Sequence, residues 1–262
     1  REGFLIPTSE ATPDPALEAY LAPYITEIDA YNDTVIGETT VAIDGTNAYT
    51  EETNSANLQA DSAVWELFDK AGVTADFHLS GAMTNAAVAD GATPATPVEL
   101  TKGDMFDLMR YENSLVVISM KGPEIKNVLE RSYRNWWWFN QGYPWGGYSH
   151  YTTCMLATDS GNVITYVGDL STDPDGNNVA SLTLDGVPVD FTDAATHYNV
   201  STVNYVAAGS CNFNDAGVTL WPLGDIVADT QLYVRDSVIN YVEAQTGPIA
   251  PAVDGRLVFP TP

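Results

Sequence analysis

The chain has 262 residues, 45% of them hydrophobic, enough to bury a sizeable core. Its 35 Asp and Glu against 10 Lys and Arg give a formal charge of −25, a field that repels nucleic acid and anionic membranes. No apolar run reaches the ~18 residues of a membrane-spanning helix, and the two cysteines, Cys154 and Cys211, allow one disulfide or two free thiols.

The opening stretch, REGFLIPTSEATPDP, lacks the apolar core of a secretory signal. Its first residue is Arg rather than Met, which points to a mature product or an excised piece of a longer chain. Residues 1–13 read as a linker arm. A helix follows, capped by Asp14 with Pro15 in its first turn, and its apolar face is Leu17, Tyr20, Leu21, Tyr24, Ile25 and Ile28. β-branched residues predict a strand over Thr34–Ile43, closed by Asp44-Gly45. In TEETNSANLQADSAVWELFDKAG, Asn54 reads as a helix cap, Leu58, Val64, Leu67 and Phe68 as the buried stripe, and Gly72 as the stop. A short strand over Phe77–Leu79 runs into SGAMTNAAVADGATPATP. Thr101 and Asp104 have capping-box spacing. Leu115–Met120 reads as a buried strand, followed by a helix opened by Gly122-Pro123 with Ile125, Val128 and Leu129 inward.

From Trp136 to Tyr151 the chain is aromatic and glycine-rich, which suggests an ordered loop. Strands are expected over Tyr151–Ala157 and Val163–Val167, in a hairpin about Asp185-Gly186, and over His197–Val206. Thr230 reads as the cap of a helix carrying Leu232, Val238, Ile239 and Val242, ended by Gly247. The mixture of hairpins and crossovers predicts α/β or α+β layers around one core.

Little in the chain names a reaction. His78, His150 and His197 are isolated, and no P-loop, G-x-G-x-x-G or G-x-S-x-G occurs. Cys211, in a loop of small residues, is a candidate nucleophile without an identifiable base. Binding is easier to read. Tyr111 lies in a turn before a buried strand, and Tyr205 where STVNYV gives way to AAGSCNF. Two such rings can sandwich a flat ligand, each stacked base contributing ~1–3 kcal/mol.

The order of segments resembles the C-terminal domain of the 5′-nucleotidase family, which includes 2′,3′-cyclic-nucleotide phosphodiesterase/3′-nucleotidases. The likeness is carried by ALEAYLAPYITEIDAYNDTVIGETTVAIDG, by EETNSANLQADSAVW, by GDMFDLMRYENSLVVISMKGPEIKNVLERSY, by NYVAAGSCNF and by PAVDGRLVF. GDMFDLMRYENSLVVISMKGPEIKNVLERSY is the strongest of these, and its tyrosine turn is similar to the cyclic-phosphodiesterase branch. The resemblance implies a layered α-β-β-α sandwich, with an interdomain-type helix over 14–33 and the domain proper over 34–262. It further implies an N-terminal metallophosphoesterase domain holding two divalent metal ions, with no metal or catalytic residue in this chain. The partner implied is a nucleoside or nucleotide, its base held between Tyr111 and Tyr205 and met by Asn54, Ser80, Asn85, Asn204, Gly209, Ser210 and Cys211.

Departures from the family pattern bear on the phosphate. The arginine of the family's Asn-Gly-Gly-Gly-Ile-Arg segment is here Asn85, a second arginine position is Glu51, and a ribose-binding aspartate is Cys211. Arginine holds phosphate through paired, charge-assisted bonds, so their loss disfavours a 5′-phosphate and fits better a cyclic or 3′-phosphate, or a pocket that has drifted from nucleotides. The expectation is a nucleoside-binding domain inactive by itself, in a secreted, periplasmic or cell-surface protein. The competing expectation is a non-catalytic surface module, motivated by the run SYRNWWWFNQGYPWGGY.

Overall fold

Helix α1 (Pro15–Asn32) begins where Asp14 accepts a hydrogen bond from the Ala16 N–H at 2.8 Å. The computed structural model describes residues 12–81, 86–140, 155–168, 170 and 177–260, so most of the arm and all of 141–154 lie outside the described residues. The expected apolar face of α1 is present but buries nothing. Leu17, Tyr20, Leu21, Tyr24, Ile25 and Ile28 are all exposed. Among the described residues the helix meets the body near its end, where the Tyr31 ring stands edge-on to Phe106 and under the Lys102 ammonium, 4.8 Å from the ring centre.

The expected strand after α1 is broken in two, β1 (Val35–Thr39) and β2 (Ile43–Asp44), because the Thr39 hydroxyl turns back onto Val41. Helix α2 (Asn54–Ala71) is capped by Thr53, one residue earlier than expected, and ends at Gly72 in left-handed conformation, as expected. Its buried stripe is Ala56, Ala60, Ala63 and Leu67 with Leu58, while Phe68 is 67% exposed and Val64 only partly covered. Ala63 and Leu67 enter the core with Phe77, Ala56 packs with Ala48 and Ala157, and α2 meets helix α6 through Leu58, Trp65 and Glu66. Next come β3 (Phe77–His78), β4 (Ala87–Val88), β5 (Val98–Thr101) and α3 (Lys102–Leu108), the last opened by the full Thr101–Asp104 capping box. Strand β6 (Ser114–Lys121) runs directly into α4 (Gly122–Asn140). That helix absorbs the first part of the expected aromatic loop, since Trp136 and Trp137 continue its turns.

Strands β7 (Val163–Tyr166), β8 (Val179–Leu184) and β9 (Val187–Pro188) follow, with Asp185 and Gly186 both at positive φ in the hairpin turn. Strand β10 (His197–Val203) stops three residues earlier than expected and yields to the short helix α5 (Asn204–Ala207). A small hairpin, β11 (Asn214–Asp215) with β12 (Val218–Thr219), leads to β13 (Ile226–Tyr233), α6 (Val234–Glu243) and β14 (Leu257–Val258). Thr230 and Leu232 therefore lie in a strand, and the Thr230 hydroxyl donates to the Leu115 carbonyl rather than capping a helix. Helix α6 ends at Glu243, before Gly247.

Two four-stranded sheets organise the layers. One has the order β13-β6-β10-β3 and the other β14-β7-β8-β9. In the first, β6 is antiparallel to both β13 and β10, while β10 and β3 are parallel. Helices α2 and α6 pack together against this sheet, and α4 touches both β6 and β8. One core runs through both sheets and α4, with Leu115, Val117, Ile118, Ile125, Val128 and Leu129 fully buried. Each such side chain contributes about 1.5–3 kcal/mol by leaving water. A second core lies under α3, α6 and β1, around Ile36, Leu100, Met105, Val238 and Val242.

Candidate functional site

Antiparallel pairing decides which turns are neighbours. Val203, the last residue of β10, lies opposite Leu115 in β6, and the Ser114 N–H donates to Asn204 Oδ1 at 3.2 Å. The turn before β6, which carries Tyr111, and the turn after β10, which carries Tyr205, therefore share one end of the central sheet. Both rings face solvent, Tyr111 at 60% exposure and Tyr205 at 51%. Tyr205 sits in α5 rather than at the end of a strand.

The Tyr111 turn is fastened from α6. The Arg235 guanidinium is buried, lies 3.7 Å from the centre of the Phe106 ring, donates to the Met109 carbonyl at 3.0 Å and pairs with Glu112 at 3.2 Å. The Val234 N–H closes on the Asn113 carbonyl at 2.9 Å. Tyr49, in the segment before α2, lies near enough to feel the charges of this turn. Burial pushes its phenol above the ordinary range, the Tyr111 phenol pushes it further, and the Arg110 guanidinium pulls it back.

The Tyr205 loop is fastened from α4 and β12. Gly209 turns at φ +92°, where an added Cβ would meet Asn214 Cβ and Thr219 Cβ at 3.1 Å. The Asn214 amide donates to the Gly209 carbonyl at 2.8 Å, and the Thr219 hydroxyl to the Ala207 carbonyl at 2.7 Å. Asn135 donates to the Cys211 carbonyl at 2.9 Å, and Arg131 to the Asn214 carbonyl at 2.7 Å. Ser210 N–H closes the turn on the Tyr205 carbonyl. Cys211 is disulfide-bonded, which leaves no thiol there to act as a nucleophile. The one other cysteine, Cys154, lies outside the described residues.

The remaining expected site residues are distributed differently. Asn54 spends its side chain on backbone: Oδ1 accepts from the Asp44 N–H at 2.8 Å, and Nδ2 donates to the Ala42 and Pro251 carbonyls. Ser80 is buried in a backbone bridge with Ala157. Asn85 lies outside the described residues. The motif around Asn54 and the closing PAVDGRLVF form one polar knot. Glu52 accepts the N–H groups of Asp254, Gly255 and Leu257, and Arg256 is buried with both guanidinium Nη atoms on Asp61 at 2.7 and 2.9 Å and its Nε on Asp254 at 2.7 Å. That pairing raises Arg256 beyond its ordinary range despite burial, which acts the other way. Beside it is a 510 Å³ cleft lined in part by Asp61, Tyr241, Asp254 and Arg256.

His78 and Ser201 face each other across β3 and β10, Nδ1 to Oγ, and the His78 N–H donates to Asp159 at 2.7 Å. Burial pushes His78 down to about 3 and Asp159 up to about 6. His78 and Ser201 are wholly buried, out of reach of a substrate. Among the described residues no group of three or more His, Cys, Asp or Glu is placed to hold a metal ion, and no helix is long and apolar enough to cross a membrane. The described part of the aromatic run faces inward. Trp136 stacks on Phe259 and Tyr133 and donates to the Thr50 carbonyl, and Trp137 packs on the core, which removes both from the argument for a surface module.

A family model for the 5′-nucleotidase C-terminal domain matches residues 35–217. The trifunctional nucleotide phosphoesterase protein YfkN of Bacillus subtilis (strain 168) is 26% identical over 213 residues, which are 80% of this chain and 13% of that protein. A 5′-nucleotidase precursor from Thermus thermophilus is similar in structure with a TM-score of 0.71 at 21% identity, covering 97% of this chain and 45% of that one. NAD nucleotidase of Haemophilus influenzae gives 0.64 at 18% identity, covering 94% and 41%. The chain thus spans less than half the length of each of these proteins, and the two structures establish its mixed α/β fold. The chain belongs to the 5′-nucleotidase C-terminal domain family.

Proposed function

We propose that this chain is the nucleoside-binding domain of a metal-dependent nucleotide phosphohydrolase, working with an upstream phosphoesterase domain that holds two divalent metal ions. The observation that carries the reading is the exposure of Tyr111 and Tyr205 on adjacent, tightly fastened turns at one end of the central sheet. Exposed rings cost the domain hydrophobic burial, and a flat base stacked on them recovers it. The fastening matters because a preorganised site loses less freedom on binding. The bare apolar face of α1 supports a neighbouring domain at that end of the chain. The substituted positions Glu51, Asn85 and Cys211 favour a cyclic or 3′-phosphate over a 5′-phosphate. The disulfide at Cys211 supports an oxidising, secreted or cell-surface setting.

Titration of the chain with adenosine or cytidine, followed by tryptophan fluorescence, tests the reading. Saturable binding is expected, weakened about tenfold by Tyr205→Ala, as loss of one stacking face implies. The chain alone is expected to hydrolyse no nucleotide. Absence of saturable binding for every nucleoside would overturn the ligand assignment.

A further inference from the structure

A phosphorylated ligand between Tyr111 and Tyr205 needs a cation, and the chain has few to offer. Most of its described basic residues are committed. Lys70 pairs with Asp69, Arg131 with Asp215, Arg235 with Glu112, and Arg256 with Asp61 and Asp254. Lys102 sits over Tyr31, and Lys126 donates to Asn177. Arg110 and Lys121 differ, and Lys121 lies at the far end of β6. Arg110 is exposed, immediately precedes Tyr111, and has no ion pair or hydrogen bond from its side chain among the described residues. Among the described residues no carboxylate pairs with this guanidinium, although the chain has 35 acidic residues.

The turn that carries Arg110 is held on both sides. Arg235 binds the Met109 carbonyl before it and the Glu112 carboxylate after it. Asn204 ties the same end of β6 to the start of α5, so Arg110 and Tyr111 stand beside the turn that carries Tyr205. The charges of Arg110 and Tyr111 both act on the half-buried Tyr49 phenol.

We propose that Arg110 is the anion-binding residue of this site, receiving the phosphate of a nucleotide whose base lies against Tyr111 and Tyr205. The assignment rests on the nucleoside-binding reading above and deepens it. The phosphate grip is supplied from the turn before β6, a different place from Glu51 and Asn85, where the family pattern carries arginine. A guanidinium offers two parallel N–H donors to phosphate oxygens. It also opposes locally the −25 field, which disfavours any anion elsewhere on the surface.

The experiment compares adenosine with 2′,3′-cyclic AMP and 3′-AMP on the parent chain, Arg110→Gln and Tyr205→Ala. The nucleotides are expected to bind the parent about three- to fivefold more tightly than adenosine, the range for an exposed charge pair, with the advantage fading at high salt. Arg110→Gln is expected to bring them to the affinity of adenosine and leave adenosine unchanged. Tyr205→Ala is expected to weaken all three ligands together. Equal or weaker binding of both nucleotides by the parent, or a phosphate advantage that survives Arg110→Gln, would overturn the assignment while leaving base stacking intact. Loss of adenosine and nucleotide binding in equal measure on Arg110→Gln would also overturn it, since that marks a residue that shapes the turn. Failure of adenosine to saturate the parent would overturn the stacking reading, and the anion assignment with it.

Discussion

His78 and Asp159 touch, yet burial moves their protons in opposite directions. His78 is held neutral, with its proton affinity lowered to about 3, so the unfolded chain takes up a proton near 6.5 that the fold refuses. Its contribution is present above 6.5 and is lost as pH falls toward 3. Asp159 is raised to about 6, so the fold takes up a proton that the unfolded chain binds only near 3.8. Its contribution is present below 3.8 and is lost as pH rises through 6. Between pH 7 and 5 the two offset one another. Relative to the parent, His78→Gln is expected to become more stable over that fall in pH, and Asp159→Asn less stable, as read from urea midpoints at both values. Identical pH slopes in all three proteins would show that neither group titrates differently on folding. This pair was not legible in the sequence. His78 looks isolated there, and only the parallel pairing of β3 with β10 sets it against Ser201. The same limit applies at the candidate site: Tyr111 and Tyr205 could be singled out by their turns, but their adjacency depends on the register of β6 and β10.

At the scale of elements, local signals read correctly where the chain satisfies itself within a few residues. The Asp14 cap, the Thr101–Asp104 box, the Gly72 stop and the Asp185-Gly186 turn are of this kind. They failed where a distant partner intervened. Thr230 resembles a cap, but β6 takes its hydroxyl, and the irregular register between Asp229 and Tyr233 with Gln231 at positive φ extends a strand through it. Phe68 fits a helical stripe, but the face of α2 that enters the cores is the one carrying Ala56, Ala63 and Leu67, and Phe68 lies off it. β10 ends early because Asn204 binds the Ser114 N–H and the chain coils into α5. The loop beyond α5 depends on Gly209, whose φ of +92° is one that other residues adopt only under strain. Gly209→Ala is expected to cost about 1–3 kcal/mol in urea unfolding. It is also expected to weaken nucleoside binding, because the strain is relieved by moving α5. An unchanged unfolding midpoint would mean that the loop relaxes without cost.

Across the whole molecule, the fold class was readable from the alternation of elements and from motif order, and the roles of the motif residues were less so. Asn54, expected at the ligand, instead binds backbone beside the knot in which Glu52 and Asp61 meet residues 254–257, a union of the domain's early and late segments. Paired in this way, a buried guanidinium and its carboxylates hold the two together. Without its carboxylates the buried Arg256 guanidinium is left uncompensated, at a cost of about 3–5 kcal/mol. This has a consequence for how the protein is made. During synthesis, α2 and the sheet β13-β6-β10-β3 are complete before Asp254, the second sheet still lacks β14, and Asp61 waits through nearly two hundred residues for Arg256. Chains truncated just short of residue 254 are expected to stay open to protease between β2 and α2. Chains that continue through β14 are expected to close that window in one step, and equal resistance of the two lengths would show that the rest of the domain shuts without the knot.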